Sequence, residues 1–348
     1  PIPLNSPFIS EEEHFITRRL KVVRILGKAE YGRLNLQISQ TAPFNAFVSI
    51  NWLNQIMELD NKANLILVKG NNQVDKSLLS KELINSWQYE DAVEILNRIE
   101  DLKQFEITSE RVVNDSILSI GIKNAIPDAR PVLTYFVNSI ENGLLKTPYS
   151  FVSAIENSGI TKNEIIVNNW LARDLLINYQ DSIELKYYVI GPLRELEEES
   201  HFFTVKNIVP IEGAFSDKNL MPEFPGLSDA GNCRDWNTSI PINLDRIRDK
   251  DEEYWSDFNG TPKAFVSLKT GEALWRNSIG SLTAYRIGFD RTEEATIRKK
   301  LNGFIDPFQL NIHIRDLKSE GIYAAQNGVD FSQLFIGLSF FIILIWLT

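Results

Sequence analysis

The sequence has very few of the residues that most catalytic and metal centres need. Its 348 residues include one cysteine, two methionines and three histidines. The single cysteine, Cys233, excludes an intrachain disulfide and a multi-cysteine zinc site. The histidines His14, His201 and His313 are not at metal-binding spacing, and there is no Gly-x-Ser-x-Gly elbow. We therefore predict no catalytic residue, no metal site and no cofactor.

Positive charge is also scarce. Lysine and arginine number 36 against 46 aspartate and glutamate residues, which gives a formal net charge of −10. Binding to a nucleic-acid backbone needs a basic stripe, so we do not expect a nucleic-acid partner. The apolar content of 43% is ordinary for a globular protein. At roughly 100–200 residues per domain, the length predicts two or three folding units.

Charge is absent altogether from the C-terminal run 331–348. A transmembrane helix needs about 20 mainly apolar residues, and this run of 18 continues to the last residue. Its few polar residues do not share one helical face, as those of a buried amphipathic helix would. We therefore predict the start of a transmembrane helix, and we expect the polypeptide to continue beyond both ends. The residues predicted to lie in the membrane are Phe335, Ile336, Leu338, Phe340, Phe341, Ile342, Ile343, Leu344, Ile345, Trp346 and Leu347.

An internal repeat joins two distant parts of the chain. Ala46–Ser49 and Ala264–Ser267 have the same sequence, Ala-Phe-Val-Ser, at an offset of 218 residues (264 − 46). Apolar residues at helical spacing follow each tetrapeptide and predict a helix. A second predicted strand follows each helix, at 65–68 in the first copy and at 282–286 in the second. The pattern predicts one strand-helix-strand unit in each copy.

The second copy carries an insertion. Upstream of each tetrapeptide there is a second match, at an offset of 183 (205 − 22): Val22, Ile25 and Leu26 match Val205, Ile208 and Val209. The two offsets differ by 35 (218 − 183). The second copy therefore has 35 additional residues between this segment and its tetrapeptide. We place them at about 217–259. The insertion carries three aromatic residues amid charged ones, and these residues are Phe224, Trp236 and Trp255. They are candidates for a partner-facing surface or for a small local core, and we favour the core.

The predicted fold class is α+β, with two lobes built from duplicated strand-helix-strand (βαβ-type) units. The predicted segments are 1–75 (an N-terminally incomplete first copy), 76–162 (a linking α+β region), 163–314 (the second copy with its insertion), 315–330 (a juxtamembrane segment) and 331–348 (the start of the transmembrane helix).

Several segments together resemble the extracytoplasmic region of a bacterial FtsX-like (MacB-type) ABC transporter permease. The segments are Asn163–Leu175, Asp181–Leu185, Phe203–Val209, Leu220–Ser228, Asn232–Trp236, Gly260–Val266 and Asp330–Phe341. One departure is Gln180, which precedes Asp181 where the family usually has glycine at a turn. These motifs are structural and cover most of the chain.

The resemblance implies a non-enzymatic role. In such permeases, a separate cytoplasmic ATP-binding subunit hydrolyses ATP, and the periplasmic domain moves with the membrane helices to export or hand over a substrate or to act on a periplasmic protein partner. It implies a location in the bacterial inner membrane, with 1–330 on the periplasmic side, and it allows a homodimer. Two alternatives stay open: a ligand-binding receptor ectodomain, which predicts one enclosed pocket with convergent polar groups, and a membrane-anchored hydrolase, which predicts a nucleophile, a base and an orienting group in contact.

Overall fold

The computed structural model describes residues 17–36, 43–57, 59, 62–70, 74–92, 94–156, 159–191, 195–224, 226–238, 240–289, 293–326, 335–336, 339–340 and 345. These residues form a mixed α+β structure. The α-helices are α1 (Ile50–Met57), α2 (Lys76–Ser86), α3 (Ser116–Ala125), α4 (Asn169–Asp174), α5 (Asp249–Phe258), α6 (Leu268–Trp275), α7 (Glu294–Phe304) and α8 (Leu317–Gln326). The strands are β1 (Glu94–Ile99), β2 (Gln104–Ser109), β3 (Arg130–Asn142), β4 (Leu145–Ile155), β5 (Glu164–Asn168), β6 (Ser182–Ile190), β7 (Leu196–Val209), β8 (Ala264–Ser267) and β9 (Ala284–Gly288).

Six of the strands close into a barrel. Their order is β3-β4-β8-β5-β7-β6, and β6 pairs back onto β3 through Ser139–Glu141. β4 with β8 and β5 with β7 are parallel pairs, whereas the other four pairs are antiparallel. At its other end, β3 pairs with β9, and β9, β2 and β1 continue as a three-stranded antiparallel arm. Closure leaves no unpaired edge around the barrel core.

The barrel strands are rich in β-branched and aromatic residues, which suit a pleated and buried surface. β3 is buried along most of its length instead of alternating, because the barrel interior covers one face and helices and the insertion cover the other. Several helices begin at a side-chain cap. Asp115, Asn168 and Ser267 each accept a hydrogen bond from a backbone N–H in the first turn of α3, α4 and α6.

The described chain divides into two compact units. Unit 1 contains Glu82–Ile312, and unit 2 contains Thr17–Lys81 with the described residues from His313 onward. The region predicted to link the two copies, 76–162, supplies β3 and β4 to the same barrel as the second copy. The predicted boundary at 162/163 therefore falls within one folded unit, because sequence patterns do not reveal which strands pair over long distances.

The repeat is realised differently in its two copies. α1 and α6 have the same bounds at the offset of 218 (268 − 50 and 275 − 57). In the second copy, α6 lies between β8 and β9, as the strand-helix-strand pattern predicts. In the first copy, 46–49 and 65–68 are described but do not form strands. The second segment thus has the predicted strand-helix-strand order, whereas the described residues of the first segment contain the helix without the strands.

One local pattern in the sequence misleads. Residues 308–314 alternate between apolar and polar side chains, which predicts a strand, but the structure has a short 3-10 helix, Pro307–Leu310, and irregular chain after it. Pro307 and the cap formed by Asp306 favour that turn over a strand. The polar lead 315–330 contains the helix α8.

Candidate functional site

The three aromatic residues of the insertion are part of the core. Phe224, Trp236 and Trp255 are 3%, 7% and 7% exposed. The rings of Trp236 and Trp255 lie 5.2 Å apart, and Trp236 also packs at 6.0 Å against Phe136 of β3. The prediction of a partner-facing surface at these residues is corrected, because the insertion folds back onto the barrel and buries its aromatic side chains there.

A buried ionic network fixes the insertion to the barrel. Arg248, at the start of α5, donates hydrogen bonds to Asp174 (2.7 Å) and Asp251 (2.7 Å). Thr147 of β4 donates to the same Asp174 carboxylate at 2.5 Å. Burial alone would raise the pKa of Asp174, but hydrogen bonds from Lys250, Thr147 and Arg248 keep it below its ordinary value. The network therefore joins the insertion to β4 and to the end of α4 with paired charges.

Lys263 is the most deeply buried cation of the network, at 4% exposure. Its ammonium group lies 4.4 Å from the ring centre of Trp170, 4.7 Å from that of Tyr254 and 3.9 Å from Asp251 Oδ1. Burial lowers its pKa to about 8, although Asp251 opposes the shift. A lysine of this kind can act as a nucleophile or base where a substrate reaches it.

The cavity beside Lys263 is too small for a substrate. It is about 20 Å³, which is room for about one water molecule, and Cys233 also lines it. Burial raises the pKa of the Cys233 thiol to about 12, so the thiol is protonated and unreactive at neutral pH. In this arrangement, the space beside both side chains holds about one water molecule.

A second buried ion cluster ties the beginning of the insertion to the arm. Arg286 of β9 donates to Glu106 of β2 at 2.8 Å and also pairs with Asp217. Burial raises the pKa of Glu106, and Arg286 partly reverses this effect. The insertion is thus held by ion pairs near both of its ends, at Asp217 and at Arg248.

A further cavity lies between β3, α6 and the insertion. It is also about 20 Å³ and is lined mainly by apolar residues, among them Phe224 and Trp275. Asn138 Oδ1 and Trp275 Nε1 are buried and have no hydrogen-bond partner, and both residues line this cavity. One water molecule would fit its size and could satisfy such groups.

The described histidines do not form a catalytic arrangement. His201 of β7 packs against the ring of Phe203 at 4.7 Å, and burial lowers its pKa. His313 is exposed, and His14 lies outside the described residues. Among the described residues, no hydrogen bond joins His201 or His313 to a serine, cysteine or aspartate, and no group of three His, Cys, Asp or Glu side chains could hold a metal ion.

Four of the residues predicted to lie in the membrane are described. Phe335, Ile336, Phe340 and Ile345 are helical and exposed. Seven predicted residues lie outside the described part of the chain: Leu338, Phe341, Ile342, Ile343, Leu344, Trp346 and Leu347. Within the described ranges, no helix has both the length and the apolar character needed to cross a bilayer.

Unit 2 exposes many large apolar side chains, including those of the predicted strand 65–68. The most exposed include Val23, Ile25, Phe44 and Ile66. The segment 17–26, which includes Val23 and Ile25, also carries lysine or arginine at positions 18, 19, 21 and 24 and contains no acidic residue. Sequence reasoning did not single out this surface, although the repeat was the signal that could have identified it.

Comparison with known proteins assigns no family to the chain. No protein-family model matches the sequence, and no curated protein matches it.

Proposed function

We propose that this chain is the non-catalytic periplasmic region of an ABC transporter permease subunit, related to the FtsX-like (MacB-type) permeases. It couples the ATP-driven motion of membrane helices to export or handover of a substrate, or to a periplasmic partner protein. ATP hydrolysis belongs to a separate cytoplasmic subunit, and the chain needs no cofactor for this role. The observation that carries the proposal is the uncharged run 331–348, whose described residues expose apolar side chains.

The construction of unit 1 supports a mechanical role. A closed barrel carries the insertion, and buried ion pairs hold that insertion at Asp217 and Arg248. Such a body moves as one piece when an attached element shifts, which is the requirement for transmitting a rigid-body displacement.

The alternatives have weaker support. A receptor ectodomain needs a pocket of about 300–1,000 Å³ for a small ligand, whereas the two cavities described above hold about one water each. A hydrolase needs a base in contact with a nucleophile, and the described histidines lack such a contact.

The proposal is tested on the full-length protein in its own membrane. Extraction in mild detergent should co-purify a nucleotide-binding ATPase subunit in stoichiometric amount. In the intact membrane, ATP with vanadate should then change the rate at which a thiol reagent labels Lys318→Cys, an exposed site in α8, in a Cys233→Ser background. A full-length polypeptide that carries a kinase or chemotaxis module after Thr348, with no ATPase partner, would contradict the proposal.

A further inference from the structure

The arm of the sheet ends in a strand that has a neighbour on one side only. Among the strands that the structure describes, β1 is the only one that pairs with a single strand, β2. Its register with β2 runs without a bulge from Glu94 to Ile99, and it contains no proline and no lysine. Natural edge strands are often protected from pairing with another chain by one of these three features. β1 is therefore an edge that is open to a further strand.

The hydrogen bonds of the arm show which backbone groups of β1 point away from β2. Phe289 N–H donates to the Lys103 carbonyl at 2.9 Å, so the backbone groups at Lys103 point towards β9. Because these groups alternate in direction along an antiparallel strand, those at the even positions of 104–108 point towards β1, where they meet the odd positions of 95–99. The N–H and C=O groups at the even positions of 94–98 consequently point outwards. Within the described part of the chain, no other segment forms a hydrogen bond with them.

The sequence of β1 is complementary to itself when two copies run antiparallel. Outward groups meet outward groups only if the two-fold axis passes through a residue, and Leu96 and Asn97 are the two residues at the middle of the strand. An axis at Leu96 places Glu94 of each copy opposite Arg98 of the other. An axis at Asn97 would instead place Glu94 of each copy opposite Glu100 of the other. Opposite charges directly across a strand pair stabilise it and like charges destabilise it, so charge favours the axis at Leu96.

We propose that β1 is a self-association surface, through which two copies of this chain pair antiparallel about an axis at Leu96. The pairing joins the two three-stranded arms into one continuous antiparallel sheet. Backbone hydrogen bonds supply the affinity in this mode, and the charged side chains fix the register. The surface is separate from the C-terminal apolar run, so this pairing and the proposed transport function can fail independently.

Arg98 is placed to take part in this contact. Its guanidinium group lies 4.5 Å from the ring centre of Phe289, which holds the side chain on one face of the arm. It also forms an ion pair with Glu100 at 2.6 Å, between side chains that are 53% and 70% exposed. An ion pair this exposed contributes little to stability. Exchanging Glu100 for Glu94 of the other copy therefore costs little.

Disulfide formation between copies tests both the pairing and its register. Single cysteines are introduced into the complete chain in a Cys233→Ser background, and the protein is treated with a mild oxidant. Leu96→Cys should form a covalent dimer on its own, because the same position of both copies meets at the axis. Ile95→Cys and Asn97→Cys should form dimers efficiently only when the two variants are mixed, since these positions face each other. In either variant alone, the two cysteines are diagonal neighbours about 7–8 Å apart, at or beyond the limit of about 7 Å for a disulfide.

A charge exchange separates pairing from folding. In the Leu96→Cys chain, Arg98→Glu should slow cross-linking by about tenfold or more, because it converts both opposite-charge pairs into like-charge pairs. Adding Glu94→Arg to the same chain should restore most of the rate, because the two pairs are again of opposite charge. Arg276→Glu, the same change at an exposed position outside β1, should leave the rate unchanged. A variant that had merely lost its fold would not be rescued by a second substitution in β1.

Three results would overturn the proposal. The first is the absence of a covalent dimer both from Leu96→Cys and from the mixture of Ile95→Cys with Asn97→Cys, as expected if another segment or a different partner occupied the edge. The second is cross-linking of Ile95→Cys alone as fast as that of Leu96→Cys, which would indicate association without register, such as aggregation through 331–348. The third is an unchanged rate with Arg98→Glu.

Discussion

Lys263→Met is the substitution that most directly tests the energetics of the barrel and insertion. The lysine pKa falls from 10.5 to about 8, and at 1.36 kcal/mol per pKa unit this corresponds to a cost of about 3 kcal/mol for holding the charged form. Attraction to the rings of Trp170 and Tyr254 returns about 1 kcal/mol of this cost. Methionine fills similar space without a charge, so the variant should be more stable than the wild type by about 2 kcal/mol at pH 7.

The pH dependence follows from the sign of the shift. Because the folded pKa is lower than the unfolded one, the cost is fully present below pH 8 and is relieved as pH rises from 8 towards 10.5. The advantage of the variant should therefore shrink over that range. Urea unfolding at pH 7, 8.5 and 10 measures the stability difference between the variant and the wild type. The control is Lys269→Met, at an exposed position of α6, which should change stability by less than about 0.5 kcal/mol. A variant less stable than wild type at pH 7, or an advantage independent of pH, would refute the reasoning.

Three further predictions concern packing, ion pairing and thiol chemistry. Gly271→Ala should destabilise the protein by about 1–3 kcal/mol, because its new Cβ would lie 2.6 Å from Ala154 Cβ and 2.9 Å from Leu133 Cδ2. The control Gly303→Ala, in open space in α7, should stabilise the protein by about 0.5–1 kcal/mol. Equal effects of the two substitutions in thermal unfolding would exclude close packing at Gly271. Arg248→Gln should cost about 3 kcal/mol in urea unfolding, because it removes a cation from Asp174 and Asp251, while the exposed Arg276→Gln should be nearly neutral. Since the pKa of Asp174 in the folded protein lies below 3.8, its contribution to folding stability is present above pH 3.8 and is lost as pH falls through the folded pKa. Asp174→Asn should therefore remove this contribution to the loss of stability in acid. Cys233 should react with a thiol reagent about a thousandfold more slowly in the folded than in the unfolded protein, because its pKa rises from 9.0 to about 12; fast labelling of the native protein would contradict its burial.

Local patterns predict several elements of this protein correctly. The β-branched and aromatic runs Leu133–Ile140 and Tyr149–Ile155 predict strands and fall within β3 and β4, and the pattern of Lys76–Trp87 predicts a helix that corresponds to α2. The alternation of residues 308–314 predicts a strand that the structure does not have. Pro307 favours a turn at this position, and this preference is stronger than the weak period-2 pattern. The sequence pattern of Glu110–Ile122 predicts a helix capped by Ser109, but the helix begins only at Ser116, because Asp115 provides its cap.

Tertiary relations were harder to predict. No sequence pattern indicates that β3 pairs with both β4 and β6, so the closed barrel was not foreseen. The charged stretch Asp249–Glu253 is typical of a solvated face, yet Asp251 is buried against Arg248 and Lys263. Arg248 also pairs with the buried Asp174, which lies 74 residues earlier in the sequence. Glycine at position 271 is unfavourable for the predicted helix, and the structure gives the reason for glycine there, since α6 packs closely on β3 and β4.

The most direct test of the central claim is the membrane topology of the C-terminal run. In a Cys233→Ser background, Lys318→Cys and Ser339→Cys are introduced singly into the full-length protein in cells, which are treated from the outside with an impermeant maleimide. The account predicts labelling of Lys318→Cys from the periplasmic side and none of Ser339→Cys until detergent is added. Labelling of both sites without detergent, or of Lys318→Cys only from the cytoplasmic side, would contradict it.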